Sequence, residues 1–414
     1  MYQRIFDSEW NFKDTNTKEF THCYHVYPAM MIPQVARTLI EKFAPSDKCE
    51  LLFDPYMGTG TSLVEASLKG INSIGTDINP LAQMISKAKT IKFNISKIET
   101  CLHKIHLLPL TFQPEKVINT NFSRISNHSF WYSEDILFKL SYISQIINLF
   151  DFDIQLFFKI ALSEVVREVS YTRNCEFKRF RMPENKIIQF KPDVFGIFEN
   201  KIYRNLEGLK HYNNANLAST TTICNFNTVY GIPDSILPDN SVDIIVTSPP
   251  YGDSHTTVAY GQFSRWANEW FGFENASNLD NLLMGGKKNA VQHFTTQSIS
   301  NELQKIETID KKRFSEVISF LNDYSDSIRN IAPKVRKGGI VCFVVGNRTV
   351  KGIQIPLDFF TAEIFENNGF KHIQTIIREI PNKRMPSKNS PTNQIGIKSS
   401  TMNNEFIVIM KKVS

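Results

Sequence analysis

The run Leu51-Leu52-Phe53-Asp54-Pro55-Tyr56-Met57-Gly58-Thr59-Gly60-Thr61 constrains the fold more than any other stretch of this chain. Its first residues are apolar up to a closing acid, which suits a short buried strand over 50–54. Gly58 and Gly60 then lack the Cβ atoms that would hold a ligand off the backbone. Thr61 or Ser62 can cap a helix running over 62–69. A second strand follows, Ser73-Ile74-Gly75-Thr76, and ends at Asp77. Strand, glycine loop, helix and strand in that order predict a parallel pair joined by a right-handed crossover. An acid at the tip of the second strand can accept hydrogen bonds from both hydroxyls of a ribose, so the unit predicts a nucleoside ligand. Gly-x-Gly alone reads more plainly as a tight turn. Asp54 before it and Asp77 after it favour the nucleoside.

A second loop carries different chemistry. The apolar run Val242 to Thr247 enters Ser248-Pro249-Pro250-Tyr251. The two prolines fix their own backbone and push the residues before them toward extended conformations, so the carbonyls of Ser248 and Pro249 can face outward at a strand end. Tyr251 adds a flat face for stacking. A planar exocyclic amine, such as N4 of cytosine or N6 of adenine, needs acceptors for its hydrogens and an aromatic plate against its ring. Taken alone, the tetrapeptide reads more plainly as a rigid turn leaving a buried strand.

Together, Asp54-Pro-Tyr-Met-Gly-Thr-Gly-Thr61, Asp77-Ile-Asn-Pro80 and Thr247-Ser-Pro-Pro-Tyr251 resemble the amino-methyltransferases that modify DNA with S-adenosylmethionine. Ser-Pro-Pro-Tyr is commoner in the N4-cytosine members and Asp-Pro-Pro-Tyr in the N6-adenine members. Tyr24-His-Val-Tyr-Pro-Ala29 is similar to the segment that precedes the family's first strand and encloses the methionine end of the cofactor. Gly338 to Asn347 resembles its fifth strand. Pro381-Asn-Lys-Arg-Met-Pro386 with Asn389-Ser-Pro-Thr392 resembles a target-side loop of some members. The resemblance implies an α/β, Rossmann-like class I methyltransferase fold, with a seven-stranded, mostly parallel sheet and an antiparallel edge formed by the last two strands. It implies S-adenosylmethionine as cofactor, with Tyr27, Pro28, Asp54, Pro55, Gly58, Gly60, Thr61, Asp77 and Ile78 as its binding residues. In that set Asp77 meets the ribose, Asp54 lies near the methionine ammonium, and Tyr27 and Pro28 wall the methionine side. Asp54 has a plainer reading, bonding its own loop backbone.

Composition sets the outer limits. With 414 residues, 42% of them hydrophobic, the chain can bury a full core and carry a large insertion or a further domain. No apolar stretch approaches the ~18 residues of a membrane span, and the N-terminus lacks a signal pattern, so a cytoplasmic protein with no membrane partner is expected. The six cysteines are scattered, which fits a reducing compartment and offers no zinc framework. His22 and His25 flank Cys23, but no second ligand cluster accompanies them, and no metal is expected. None of the cysteines follows a proline, as the nucleophile of the C5-cytosine methyltransferases does, which favours exocyclic nitrogen over ring carbon.

The net charge of +6 is modest, so its distribution matters more. Arg167, Arg173, Lys178, Arg179 and Arg181 are interleaved with Tyr171, Phe177 and Phe180, and Lys383, Arg384 and Lys388 form a second group. Either could be a solvated helix face. Beside an amine-gripping loop, phosphate contact is the better expectation.

Along the chain, α/β alternation is expected at both ends with helical material between. Residues 1–94 and 216–414 would form one methyltransferase domain in two parts, holding the cofactor loop and the catalytic loop. Residues 95–215 would form an inserted helical subdomain, including an apolar helical stretch from Ser133 to Glu168. A further insertion at 252–310 could contact DNA; its Met284-Gly-Gly-Lys-Lys288 either closes over substrate or is a surface turn. Beyond the first two strands, others are expected at 221–226, 242–247, 340–346, 372–378 and 405–410, with helices over 79–89, 311–336 and 356–368.

The expected activity is therefore site-specific methylation of the N4 amine of cytosine in double-stranded DNA bearing a short recognition sequence. Ser248, Pro249, Pro250 and Tyr251 are the catalytic set, and a cognate restriction endonuclease is a partner to expect. The transfer needs alignment rather than a covalent intermediate, with the base flipped out of the duplex. The alternatives are N6-adenine DNA methylation, guanine-N2 methylation of RNA, and a DNA-binding regulator with dead chemistry.

Overall fold

The computed structural model describes residues 2–45, 49–118, 121–173, 177–215, 218–253, 258–286, 296–380, 388–389, 399–400 and 403–414. Eight strands form the main sheet: β1 (Arg4–Phe6), β2 (Leu51–Asp54), β3 (Asn72–Thr76), β4 (Thr221–Cys224), β5 (Val242–Thr247), β6 (Val335–Val345), β7 (Phe370–Glu379) and β8 (Asn404–Lys412). Their order across the sheet is β1-β7-β8-β6-β5-β2-β3-β4. Only β8 runs antiparallel, and it pairs with both β6 and β7. The antiparallel strand thus lies inside the sheet rather than at its rim. The seven expected strands gain an eighth, β1, which pairs parallel with β7 at the edge.

The parallel half follows from burial on both faces. Every residue of β5 is buried, as a near-continuous apolar run in an α/β sheet should be. On one face Leu52, Ile244, Val246 and Val344 pack against α1 (Pro33–Phe43) and α2 (Thr61–Leu68). On the other, Phe53, Ile245, Val341 and Phe343 meet the helices that run from Lys311 to Ile331 and from Leu357 to Glu366. The helix expected over 311–336 ends at Ile331. Pro333 cannot continue it, and Val335 and Arg336 already belong to β6, where Val335 pairs with Val242.

A third core lies in the helical layer. It joins α3 (Pro80–Thr90), α4 (Ile95–His106), α5 (Glu134–Asn148), α6 (Phe152–Glu168), α7 (Val194–Ala215) and α8 (Tyr260–Phe271). The apolar stretch over 133–168 is two helices, split at Leu149–Asp151 and begun by Ser133, whose side chain accepts from the backbone NH of Ile136. Helix α8 lies within 252–310, yet Phe263, Trp266 and Trp270 pack into one core with the helices of 95–215. Asn79 caps α3 by accepting from Leu81 NH, with Pro80 at the first helical position. That cap sits where the sheet, the helical layer and the glycine loop meet.

Candidate active site

Strand order reverses between β5 and β2: the chain moves from β2 outward to β3 and β4, and later returns on the other side of β2. In open α/β sheets the crevice at the carboxyl ends of such strands is where ligands bind. Register brings Phe53 opposite Ile245, so the loops after Asp54 and Thr247 leave the sheet side by side. A cleft of about 960 Å³, open at its mouth, occupies this place. Of the residues expected to hold the cofactor, Tyr27, Pro28, Asp54, Pro55, Gly58, Thr61, Asp77 and Ile78 line it, and Gly60 does not. Of the catalytic set, Ser248 and Pro250 line it, while Pro249 and Tyr251 lie outside its wall.

Asp54 ties the two loops together. Its carboxylate accepts from Thr247 Oγ1 at 2.5 Å, from the backbone NH of Tyr56 at 3.1 Å and from Ser62 Oγ. The bond to Tyr56 is the plainer role foreseen for this residue, realised here. Burial pushes its carboxyl up to about 6, against the lowering effect of the donors. Gly58 and Gly60 adopt φ of +48° and +70°, conformations that a side chain disfavours. A Cβ on Gly58 would meet no protein atom within 4 Å, so the loop backbone stands open at the cleft.

Asp77 receives the backbone NH of Asn79 at 2.7 Å, and burial pushes its carboxyl up to about 7. Asn79 donates to the hydroxyls of Tyr27 and Ser264, each at 2.7 Å, and so locks the aromatic wall. Tyr27 stacks on Tyr260, with centroids 5.9 Å apart and planes 19° from parallel. An acid at the strand tip, an open glycine loop and an apolar wall together fit a nucleoside joined to an amino-acid tail.

The Ser248–Tyr251 loop is anchored from outside the cleft. Ser248 Oγ donates to Val344 O at 3.1 Å and lies 3.2 Å from the Tyr251 hydroxyl. Tyr251 in turn donates to Glu405 Oε1 at 3.0 Å. Burial, then the Glu405 carboxylate, hold the Tyr251 phenol well above its usual range. Glu405 is paired through its other oxygen with Arg378, whose Nε donates to Trp10 O at 2.8 Å. Just beyond the loop, Asp253 is bonded by Arg348 at 3.1 Å.

Several cleft residues escaped the sequence reading. Tyr260, Asn79, Phe226, Thr228, Leu283 and Met284 all line the wall. A signal existed for Asn79, inside the Asp-Ile-Asn-Pro motif; none marked Tyr260, which lies far along the chain from Tyr27. Met284 belongs to the segment with two open readings, and it faces the cleft, while the backbone NH of Gly285 donates to Asp323 at 2.8 Å.

The first basic group divides on inspection. Arg167 is only 7% exposed, and its guanidinium lies 4.5 Å from the ring centroid of Phe263 and donates to Phe263 O. It packs the helical layer, which corrects the expectation of phosphate contact for this residue: an arginine enclosed in this way cannot reach a polyanion. Arg179 sits over Trp266 at 4.6 Å, and burial pulls it down to about 10, as it does Arg167. Arg181 covers Phe130 at 4.3 Å and bonds Glu184. Arg173 is exposed and Lys178 half-buried. Lys383 and Arg384 lie outside the described residues, as do the side chain of Lys388 and the lysines of the Met284 segment. His22, flanking Cys23, bonds Glu65 at 2.9 Å, and Arg37 clamps the same carboxylate. Among the described residues no helix is long and apolar enough to cross a membrane.

No protein-family model matches the chain. The type II methyltransferase M.MvaI of Kocuria varians is 40% identical over 423 aligned residues, covering 97% of this chain and 93% of that protein. The type II methyltransferase M.BsoBI of Geobacillus stearothermophilus is 22% identical, covering 87% and 80%. Among solved structures, the rRNA methyltransferase aviRa from Streptomyces viridochromogenes aligns with 93% of this chain and 86% of that one at 11% identity, with a TM-score of 0.31 too low to bear on the fold. On the strength of the first relative, the chain belongs to the type II methyltransferases, the S-adenosylmethionine-dependent DNA methyltransferases of restriction-modification systems.

Proposed function

We propose that this enzyme methylates the exocyclic N4 amine of a cytosine flipped out of double-stranded DNA at a short recognition sequence. The observation that carries the reading is Ser248 at the rim of the cofactor cleft, with its hydroxyl proton directed to Val344 O. That proton being committed, the Oγ lone pairs are left to accept from an incoming amine. The amine lone pair is delocalised into the base, and acceptors on its hydrogens favour a more tetrahedral, more nucleophilic nitrogen. The Pro249 carbonyl is assigned the second acceptor role, and Pro250 shapes the rim. Tyr251, held by Glu405, is assigned to stack on the base.

Bound S-adenosylmethionine supplies an electrophilic methyl group. Asp77 is assigned to its ribose hydroxyls, the Pro55–Thr61 loop and Ile78 to its middle, and Tyr27 and Pro28 to its methionine side. Asp54 spends three of its roughly four acceptor positions on the protein, which leaves one for an ammonium. Rate comes from alignment of amine and methyl in a closed cleft. Arg173 and Lys178 are assigned to the phosphate backbone, with Lys383 and Arg384 as further contacts, whereas Arg179 lies over Trp266. The enzyme would act in the cytoplasm beside a restriction endonuclease that cuts the same sequence.

Single-molecule sequencing of DNA from cells expressing this chain tests the proposal, because it reports base and context together. N4-methylcytosine in one short motif supports it. N6-methyladenine in such a motif would move the assignment to adenine.

A further inference from the structure

Residues 171–173 and 177–182 pair with one another next to α8, the helix whose Tyr260 lines the cleft. Thr172 bridges Arg181, Arg173 NH donates to Phe180 O at 2.8 Å, and Met182 NH donates to Tyr171 O at 2.7 Å. One face of this strand pair is fastened to α8. Trp266 Nε1 donates to Thr172 Oγ1 at 3.0 Å, Arg179 lies over the Trp266 ring, and the Arg179 NH meets Gln262 Oε1 at 3.3 Å. Gln262 is in the first turn of α8, two residues after Tyr260 on the cleft wall. These paired segments are therefore fastened to the helix that carries Tyr260 on the cleft wall.

Its other face is unusual for a surface. Phe177 is 38% exposed and Phe180 46%, and Phe130, under the guanidinium of Arg181, is 50% exposed. Arg173 is exposed beside Phe180 across the strand pair. Scattered exposed apolar residues need no explanation, but aromatic rings set among Arg173, Lys178 and Arg181, the last paired with Glu184, form a mixed patch. Cations of this density disfavour an apolar protein partner and suit a polyanion. Every base offers a π-face to an aromatic ring, and inserted phenylalanines unstack neighbouring bases.

We propose that Phe177 and Phe180 form an aromatic wedge that enters the base stack at the position vacated by the flipped nucleotide, with Arg173 and Lys178 on the flanking phosphates. The proposal rests on the DNA-methylation reading but adds a site that the methyl-transfer chemistry does not require. Extruding a base leaves a gap and costs a few kcal/mol of stacking and pairing. Rings held on the strand pair docked to α8 would restore part of that stacking.

The test uses the full chain and a mixed-sequence duplex carrying one abasic site, which presents a ready gap without any recognition sequence. Wild type should bind this duplex about tenfold more tightly than the intact duplex, and Phe177→Ala/Phe180→Ala should lose that preference. The double variant should keep wild-type affinity for S-adenosylmethionine, and Phe→Trp at either position should restore the preference. Equal preference in wild type and double variant would overturn the wedge, as would a change of oligomeric mass in place of a change in DNA affinity. These outcomes are read without methyl transfer, so a failure of the N4-cytosine assignment, seen in the modified base, would be recognised separately.

Discussion

The phenol of Tyr251 is bonded to the carboxylate of Glu405 at 3.0 Å, across 154 residues of sequence. The Ser248–Tyr251 loop is thereby fixed not by its own prolines alone but by β8, and through Arg378 by the N-terminal segment at Trp10.

Glu405→Gln keeps an acceptor for Tyr251, whereas Glu405→Ala removes it and leaves Arg378 buried without its carboxylate. A hydrogen bond to a charged group contributes about 1.5–3 kcal/mol, so turnover of the alanine variant should fall roughly 10–100-fold. The glutamine variant should lose less. Cofactor affinity, measured by calorimetry, should change little in either. Equal loss of cofactor binding and turnover would contradict the assignment.

With Asp77 at the ribose hydroxyls, as proposed, cofactor binding should depend on pH. Burial holds its carboxyl up near 7, and only the ionised form can accept from both ribose hydroxyls. Affinity should be full above that value and fall about tenfold per pH unit below it, since each unit lowers the ionised fraction tenfold. Asp77→Asn should bind weakly and show a flat profile over the same range. A wild-type affinity that rises toward acid would reverse the assigned sign.

The two loop glycines should fail differently. Gly58→Ala carries the left-handed backbone cost of about 1–2 kcal/mol at a φ of +48° but meets no protein atom within 4 Å, so it should lower the melting temperature less than Gly60→Ala and also weaken cofactor affinity. Gly60→Ala brings a Cβ within 2.9 Å of Ser86 Oγ at a φ of +70°, and should lower the melting temperature, at about 1–2 kcal/mol for the left-handed backbone plus the contact. Calorimetric unfolding with and without cofactor separates the two.

Thr247→Val removes the donor that joins the catalytic strand to Asp54. The cost should be about 1–3 kcal/mol, because a buried carboxylate loses one of its partners. Denaturant unfolding measures this, and turnover should drop as the two loops uncouple.

What was legible in the sequence follows local physics. Strand β5 was read to the residue because six consecutive buried positions between polar turns admit little else. β1 was missed because Arg4, Ile5 and Phe6 are too short a run to show a strand period; its Arg4 is held by a two-pronged bond to Asp358, 354 positions away. The helix at Lys311 overran because its amphipathic pattern flows into β6, although Pro333 marked the stop. Both loops of the site were legible because glycine and proline impose backbone shape directly. Tyr260 was not, since its stacking on Tyr27 exists only once α8 docks. Arg167 was misread because an arginine near phenylalanines looks the same in sequence whether it faces solvent or lies over a buried ring.

The most direct measurement incubates the enzyme with methyl-labelled S-adenosylmethionine and DNA, digests the product and identifies the labelled nucleoside, for wild type and Ser248→Ala in parallel. The account predicts label on N4-methylcytosine from wild type, and a serine variant that binds cofactor normally yet transfers slowly. Label on adenine, or a Ser248→Ala enzyme as fast as wild type, would contradict it.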